Sequence, residues 1–371
     1  MRETNCRIVG LQAVSARAVT VASAALLAGS LLLAPAAGAT GSADLGSADS
    51  ASVDSASTDS GSVDTLSADL GSAAKESLTV VPEIPGPPQS THAEATRYDA
   101  DFPGSVPPGV NDFGCKPTAA HPNPVILAHG TDATAYSDYS AIGPRLKADG
   151  YCVFAVNYGG KQAGKRFGTE DMNTSAAQVA AFVERVRTST GAAKVDLVGY
   201  SQGATVTRMF VNRLGGAAVV DKWVGIASPT YGGVFYGLVN VANVVPGSMG
   251  LIGAVMGKAY EQQVQGSDWL NALNAGGDTV PGVSYTTIGT EYDEMIQPYT
   301  NIALRDPGAR NILIQDSCAQ NKTGHMNMVY DQYTMGLVSQ ALDPSAPAPR
   351  CESVPLGTGM LQMMIASNSS S

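Results

Sequence analysis

Gly199-Tyr200-Ser201-Gln202-Gly203 sets a serine between two glycines, each two residues away. That pattern makes a hydroxyl nucleophilic where the chain turns sharply from a strand into a helix. The bare pattern is expected by chance about 0.4 times in so Gly-rich a chain, so its neighbours decide its meaning. Val195 to Val198 is an apolar run ending directly at Gly199, and no Pro or Gly interrupts the ten residues after Gly203. A serine on that turn is raised above the sheet, and the glycines relieve backbone crowding. The helix N-terminus behind it presents N–H donors where negative charge would develop, so the chemistry it permits is attack on an acyl carbonyl.

A serine hydroxyl needs a base, and in this topology the chain order is nucleophile, acid, histidine. Of His92, His121, His129 and His325, only His325 follows Ser201. It ends the polar stretch Asn321-Lys322-Thr323-Gly324-His325, just before a helix expected over Val329 to Ala341. His92 and His121 precede the first central strand, and His129 belongs to a separate strand-end feature. The acid should follow the expected strand Val283 to Ile288, where Gly289-Thr290-Glu291-Tyr292-Asp293-Glu294 offers three carboxylates. Asp293 is the first choice, Glu291 the second, with Asp306 and Asp316 farther off. Such a carboxylate holds the imidazole Nδ1–H and stabilises the imidazolium. Backbone N–H groups of Gln202, after the nucleophile, and of Thr131, in His129-Gly130-Thr131, would form the oxyanion hole.

These groups need a scaffold, and strand alternates with helix through the middle of the chain. Val125 to Ala128, Val153 to Val156 and Val195 to Val198 read as strands, with further candidates at Trp223 to Ala227, Val283 to Ile288 and Ile312 to Ile314. Tyr136 to Ala148, Ala176 to Val186 and Ala204 to Leu214 carry apolar residues at helical spacing. The alternation predicts an α/β domain, a mostly parallel sheet covered by helices on both faces. Residues 76–371 would form it, with a core over about 111–344. Residues 231–282 are an apolar, Pro- and Gly-broken insertion that fits a lid or acyl-binding wall as well as an ordinary buried cap. Met360, Met363 and Met364 in the tail are read as loosely packed.

The ends of the chain have other meanings. Arg2, Arg7 and Arg17 precede an uncharged Ala/Leu/Val-rich stretch that closes with Ala37-Gly38-Ala39, so residues 1–39 read as an export signal cleaved near Ala39. Residues 40–75 repeat Asp every five positions from Asp44 to Asp69 amid Ser, Ala and Gly, a composition that reads as a disordered acidic spacer rather than a calcium β-roll. Export leaves Cys115, Cys152, Cys318 and Cys351 in an oxidising compartment. Cys115 and Cys152 each sit just before a neighbouring parallel strand, which favours pairing them and leaves Cys318 for Cys351. No Cys-x-x-Cys or Cys/His cluster supports zinc instead.

The 371 residues are 44% apolar and 15% charged, with a formal net charge of -10. A sequence pI near 4.8 argues against a nucleic-acid footprint, which needs clustered Lys and Arg. The chain is expected to act as a monomer on a small-molecule or lipid ester, with contact at a lipid interface allowed by the insertion.

Pro124-Val125-Ile126-Leu127-Ala128-His129-Gly130-Thr131, Gly150-Tyr151-Cys152-Val153-Phe154-Ala155, the Gly199 to Gly203 elbow, and Tyr292-Asp293 followed by Pro298-Tyr299-Thr300 together resemble the secreted actinobacterial lipases of the class 2 lipase family, within the α/β-hydrolases. The resemblance covers about Asn111 to Pro344 and includes the four cysteines. It implies an α/β-hydrolase fold, Ser201, Asp293 and His325 as a triad, and hydrolysis of acylglycerol or other carboxylic esters, with no metal or organic cofactor. Tyr200 stands where such lipases often have His, and Ala204 where a further Gly is common, which puts local packing and acyl preference in question. An acyltransferase would share every residue named, and a catalytically silent binding module at the cell surface is the alternative of a different class. The second is disfavoured because all required groups stand in the required order.

Overall fold

Val125-Ile126-Leu127-Ala128 is apolar at every position, as a strand covered on both faces must be. The computed structural model describes residues 80–160, 166–234 and 257–369. The expected signal and spacer, and the apolar part of the insertion at 235–256, lie outside the described residues. The chain enters with β1 (Ile84–Pro85), helix α1 (His92–Asp101) and β2 (Ser105–Val106), the two strands pairing in parallel. A larger sheet follows, made of β3 (Val125–Ala128), β4 (Val153–Val156), β5 (Val195–Tyr200), β6 (Val220–Ile226), β7 (Ser284–Gly289) and β8 (Arg310–Leu313). Its order is β4-β3-β5-β6-β7-β8, with every neighbouring pair parallel.

Helices α2 (Ala135–Tyr139), α3 (Ile142–Ala148), α4 (Met172–Thr190) and α5 (Gln202–Arg213) come from the first crossovers. Then α6 (Lys258–Gln262), α7 (Asp268–Asn274), α8 (Ile314–Ser317), α9 (Gln332–Leu342) and α10 (Met360–Ser369) complete the described helices. Successive strand side chains point to opposite faces, and the core divides by that parity. Val125 and Leu127 join Tyr136, Ile142, Leu146 and Val338 on the face of α2, α3 and α9. Ile126 and Ala128 join Met172, Val179, Phe182 and Phe210 on the face of α4 and α5.

The helix expected over Tyr136 to Ala148 is two helices. An unbroken helix would press the Pro144 ring against the Ser140 carbonyl; the break at Ser140 and Ala141 moves Pro144 into the first turn of α3, where a missing N–H costs nothing. The last expected helix starts at Gln332 rather than Val329, because Asp331 caps it by accepting from Thr334 N at 2.8 Å. His325–Tyr330 before it is a 3-10 turn. In the Met-rich tail Met360 and Met364 are exposed, as a loosely packed segment would leave them, while α10 still lies on α1 and Thr96 donates to Met363 Sδ at 3.7 Å.

Disulfides join Cys115 to Cys152 and Cys318 to Cys351. The first ties the segment before β3 to the start of β4, and the second ties the tail to the loop that leads to His325. Among the described residues no helix is long and apolar enough to cross a membrane.

Candidate active site

β5 ends at Tyr200 and α5 begins at Gln202, which leaves Ser201 alone on the turn at φ 50°, ψ -122°. A non-glycine residue holds a positive φ only where its surroundings impose it. Here Ser201 N donates to Ile226 O at 2.8 Å, and Ser201 O accepts from Ala204 N at 3.0 Å. A Cβ on Gly203 would lie 1.9 Å from Ala128 O, and one on Gly199 2.4 Å from Ala204 N. Strand and helix therefore approach closer than any side chain permits. Ser201 is 9% exposed and borders a cavity of about 360 Å³ at the carboxyl ends of the strands.

His325 Nε2 lies 3.2 Å from Ser201 Oγ, and its Nδ1 lies 2.8 Å from Asp293 Oδ2. A nitrogen facing a carboxylate donates, so Nε2 is left to accept from the serine hydroxyl. The other carboxylate oxygen of Asp293 accepts from Met295 N at 2.9 Å and Ile296 N at 2.7 Å, which fixes its orientation. Thr290 Oγ1 donates to Thr323 O at 2.8 Å and ties the acid loop to the histidine loop. Glu294 accepts from His325 N at 2.6 Å and Met326 N at 3.0 Å, while Tyr200 Oη donates to His325 O at 2.9 Å. Burial pulls the imidazole pKa down, but the Asp293 carboxylate, with Glu294 and Asp138 beyond it, outweighs burial and holds it above the ordinary value of 6.5.

The other acidic candidates stand elsewhere. Glu291 is exposed, with its amide donating to Gln315. Asp306 accepts from the Asp278 and Thr279 amides, and Asp316 is exposed on α8.

Thr131 lines the cavity beside Ser201. As the first residue of α5, Gln202 has an amide for which the helix offers no acceptor. Its side chain donates to Gly168 O at 2.8 Å and Thr131 Oγ1 at 3.0 Å, and Gln263 Nε2 reaches the same hydroxyl at 3.0 Å. Thr131 is thus held in place from two sides. The preceding amide, Gly130 N, already donates to Asp138 Oδ2 at 2.7 Å. His129 is fully buried, stacked on Tyr158 at 4.3 Å, and burial lowers its pKa. Its ring braces the turn rather than facing Ser201. Among the described residues no group of three or more His, Cys, Asp or Glu is placed to hold a metal ion.

The sequence model of lipase (class 2) matches residues 122–336, more than half of the chain. The chain belongs to the class 2 lipase family. That is a family of carboxylic-ester hydrolases. Among solved structures, this chain is similar to Aspergillus fumigatus lipase B, with a TM-score of 0.51 and 21% identity over 70% of this chain and 65% of that one. It therefore spans just under two thirds of the fungal chain. It is also similar to the mature form of Bacillus licheniformis lipase BlEst2, with a TM-score of 0.45 and 16% identity over 61% of this chain and 94% of that one. The likeness to the fungal structure is one of fold, and the parallel sheet with helices on both faces is that of an α/β-hydrolase.

Sequence reasoning missed His92, Asp138 and Glu294 at the site. Glu294 was within reach, being the third carboxylate of the loop that supplied Asp293. His92 and Asp138 carry no local signal, since they meet across 46 residues of chain.

Proposed function

We propose that this protein is a secreted serine carboxylic-ester hydrolase, a lipase or esterase, in which Ser201 is the nucleophile, His325 the base and Asp293 its orienting acid. The observation that carries this is the unbroken chain of 2.8 Å and 3.2 Å contacts from Asp293 through His325 to Ser201 at the wall of a cavity. Ser201 Oγ gives its proton to His325 Nε2 as it attacks the acyl carbon, and Asp293 stabilises the imidazolium that results. The carbonyl oxygen takes up the negative charge between the amides of Gln202 and Thr131. On collapse, His325 returns the proton to the leaving alkoxide and an acyl-Ser201 remains. Water, deprotonated by His325, then releases the carboxylic acid and restores the serine. The apolar side of the cavity, with Val234, Met295, Ile296 and Met363, suits an acyl chain. Two disulfides favour the exported location, with residues 1–39 as the cleaved signal, residues 40–75 as a spacer and residues 76–371 as the domain.

The test is hydrolysis of p-nitrophenyl esters from acetate to palmitate by protein expressed in a secreting host. Ser201→Ala and His325→Ala should each lower kcat by about 10⁴-fold or more, and the purified protein should begin near Thr40. Turnover equal in wild type and both variants would sink the hydrolase reading.

A further inference from the structure

His92 and Asp138 form a buried pair that the ester chemistry does not use, on segments that sequence reasoning kept apart from the site. His92 opens α1 and Asp138 lies in α2; they are 6% and 0% exposed. His92 Nε2 is 2.9 Å from Asp138 Oδ1, and His92 Nδ1 is 2.8 Å from Met326 O. Asp138 Oδ2 accepts from Gly130 N at 2.7 Å. Met326 follows the base His325, and Gly130 precedes the oxyanion donor Thr131. Three hydrogen bonds therefore run without a gap from the histidine loop to the oxyanion loop, and the histidine ring is stacked on Tyr330 at 5.5 Å.

A buried histidine–carboxylate pair is a poor way to gain stability, because apolar residues of similar volume would hold the same space at no desolvation cost. What the pair supplies that apolar residues cannot is fixed direction. Each carboxylate oxygen and each ring nitrogen has a partner, so the distance between the loop after β3 and the loop that follows β8, strands far apart in the sheet order, is set by hydrogen-bond lengths. Gly130 N, once bonded to Asp138, is removed as an oxyanion donor, and the turn is left to present the amide of Thr131.

We infer that His92 and Asp138 are positioning residues that hold the histidine loop and the oxyanion loop in mutual register for the ester chemistry. The inference rests on the serine hydrolase reading above and deepens it. Both residues border the cavity, but with both almost fully buried they act chiefly on the transition state, where His325 and the oxyanion donors must act together, and much less on ester binding.

The experiment compares wild type, His92→Phe, Asp138→Asn and the double variant on p-nitrophenyl butyrate. Phe keeps the ring against Tyr330 and removes both hydrogen bonds. Each single variant should lower kcat by about 10- to 100-fold while KM changes by about 2-fold or less. The double variant should fall little further than the worse single one, as for groups acting as one unit. An alkyl boronic acid, which forms a tetrahedral adduct on Ser201, should lose affinity in step with kcat. His92→Gln, a smaller change, is the second variant should Phe fail to fold; it should lose kcat in the same direction. Unchanged kcat in the folded variants, fully multiplied losses in the double variant, or a loss confined to KM would each overturn the inference. Wild type without Ser201-dependent turnover would instead sink the hydrolase reading itself, so the two failures are told apart.

Discussion

In the proposed chemistry His325 gains and loses a proton at each step of ester cleavage, although its ring is almost wholly buried. Only the neutral ring can accept from Ser201. Because Asp293 and then Glu294 raise its pKa against burial, kcat/KM is expected to fall with decreasing pH through a point above 6.5, the ordinary imidazole value. Glu294 contributes charge without touching the imidazole nitrogens, since its carboxylate caps the His325 and Met326 amides. Glu294→Gln keeps one acceptor for those amides and removes the charge. Its acid limb should move to lower pH than in wild type, with a plateau reduced by about 10-fold or less. A pH profile of kcat/KM from 5 to 9 reads both quantities, and a limb that stays in place would show that the Glu294 charge plays no part in the ionisation.

At the scale of elements, the elbow depends on how closely α5 rides on β3. Gly203 is the contact point: an added methyl would stand 1.9 Å from Ala128 O and 2.6 Å from His129 O. Neither backbone atom can swing aside, so Gly203→Ala must push α5 away from β3 and Ser201 away from His325. The expected result is a loss of activity of about 10²-fold or more with a stability cost of about 1–3 kcal/mol. Gly215 is the contrast, because a methyl there meets nothing within 4 Å. Its φ of +81° still strains any other residue, so Gly215→Ala should cost about 1 kcal/mol and leave kcat alone. Thermal unfolding beside kcat separates the two, and an active Gly203→Ala enzyme would refute the close-approach argument. The same contrast explains what was legible beforehand. Ser201, Asp293 and His325 announce themselves through neighbours in sequence: an apolar strand, a glycine pair, a polar loop before a helix. The all-apolar runs at Val125 and Val153 gave the sheet for the same reason. His92 has no such neighbours, and its link to Met326 spans 234 positions, so only the folded chain reveals it. The broken helix at Ser140 was readable from Pro144 but lost in an apolar spacing that continues on both sides.

For the molecule as a whole, the end of the sheet opposite the active site holds a charge it would be better without. Asp196, in β5, is 2% exposed and accepts from Lys222 N at 3.1 Å and Asn123 Nδ2 at 3.2 Å. Lys222 Nζ sits 3.6 Å from it but only 2.9 Å from Asp221. Burial pulls the Lys222 pKa down, but its hydrogen bond to Asp221 and the charges of Asp196 and Asp221 outweigh burial and raise it. Burial wins at Asp196, followed by the weaker pull of Lys222 and the repulsion of Asp221, and its pKa is pushed up to about 6 from an ordinary 3.8. With the folded value above the unfolded one, the contribution of Asp196 is fully present below about pH 4. It is lost as pH rises through about 6. Asp196→Asn keeps a carbonyl for the Lys222 amide and never ionises, so it should be more stable than wild type at pH 8 by about 1–2 kcal/mol. Near pH 3 the two should unfold at nearly the same temperature, because the wild-type carboxyl is then protonated in both the folded and the unfolded chain. Unfolding scans of both proteins at the two pH values decide the matter. A variant less stable than wild type at pH 8 would mean that the Lys222 attraction outweighs the cost of burying the charge.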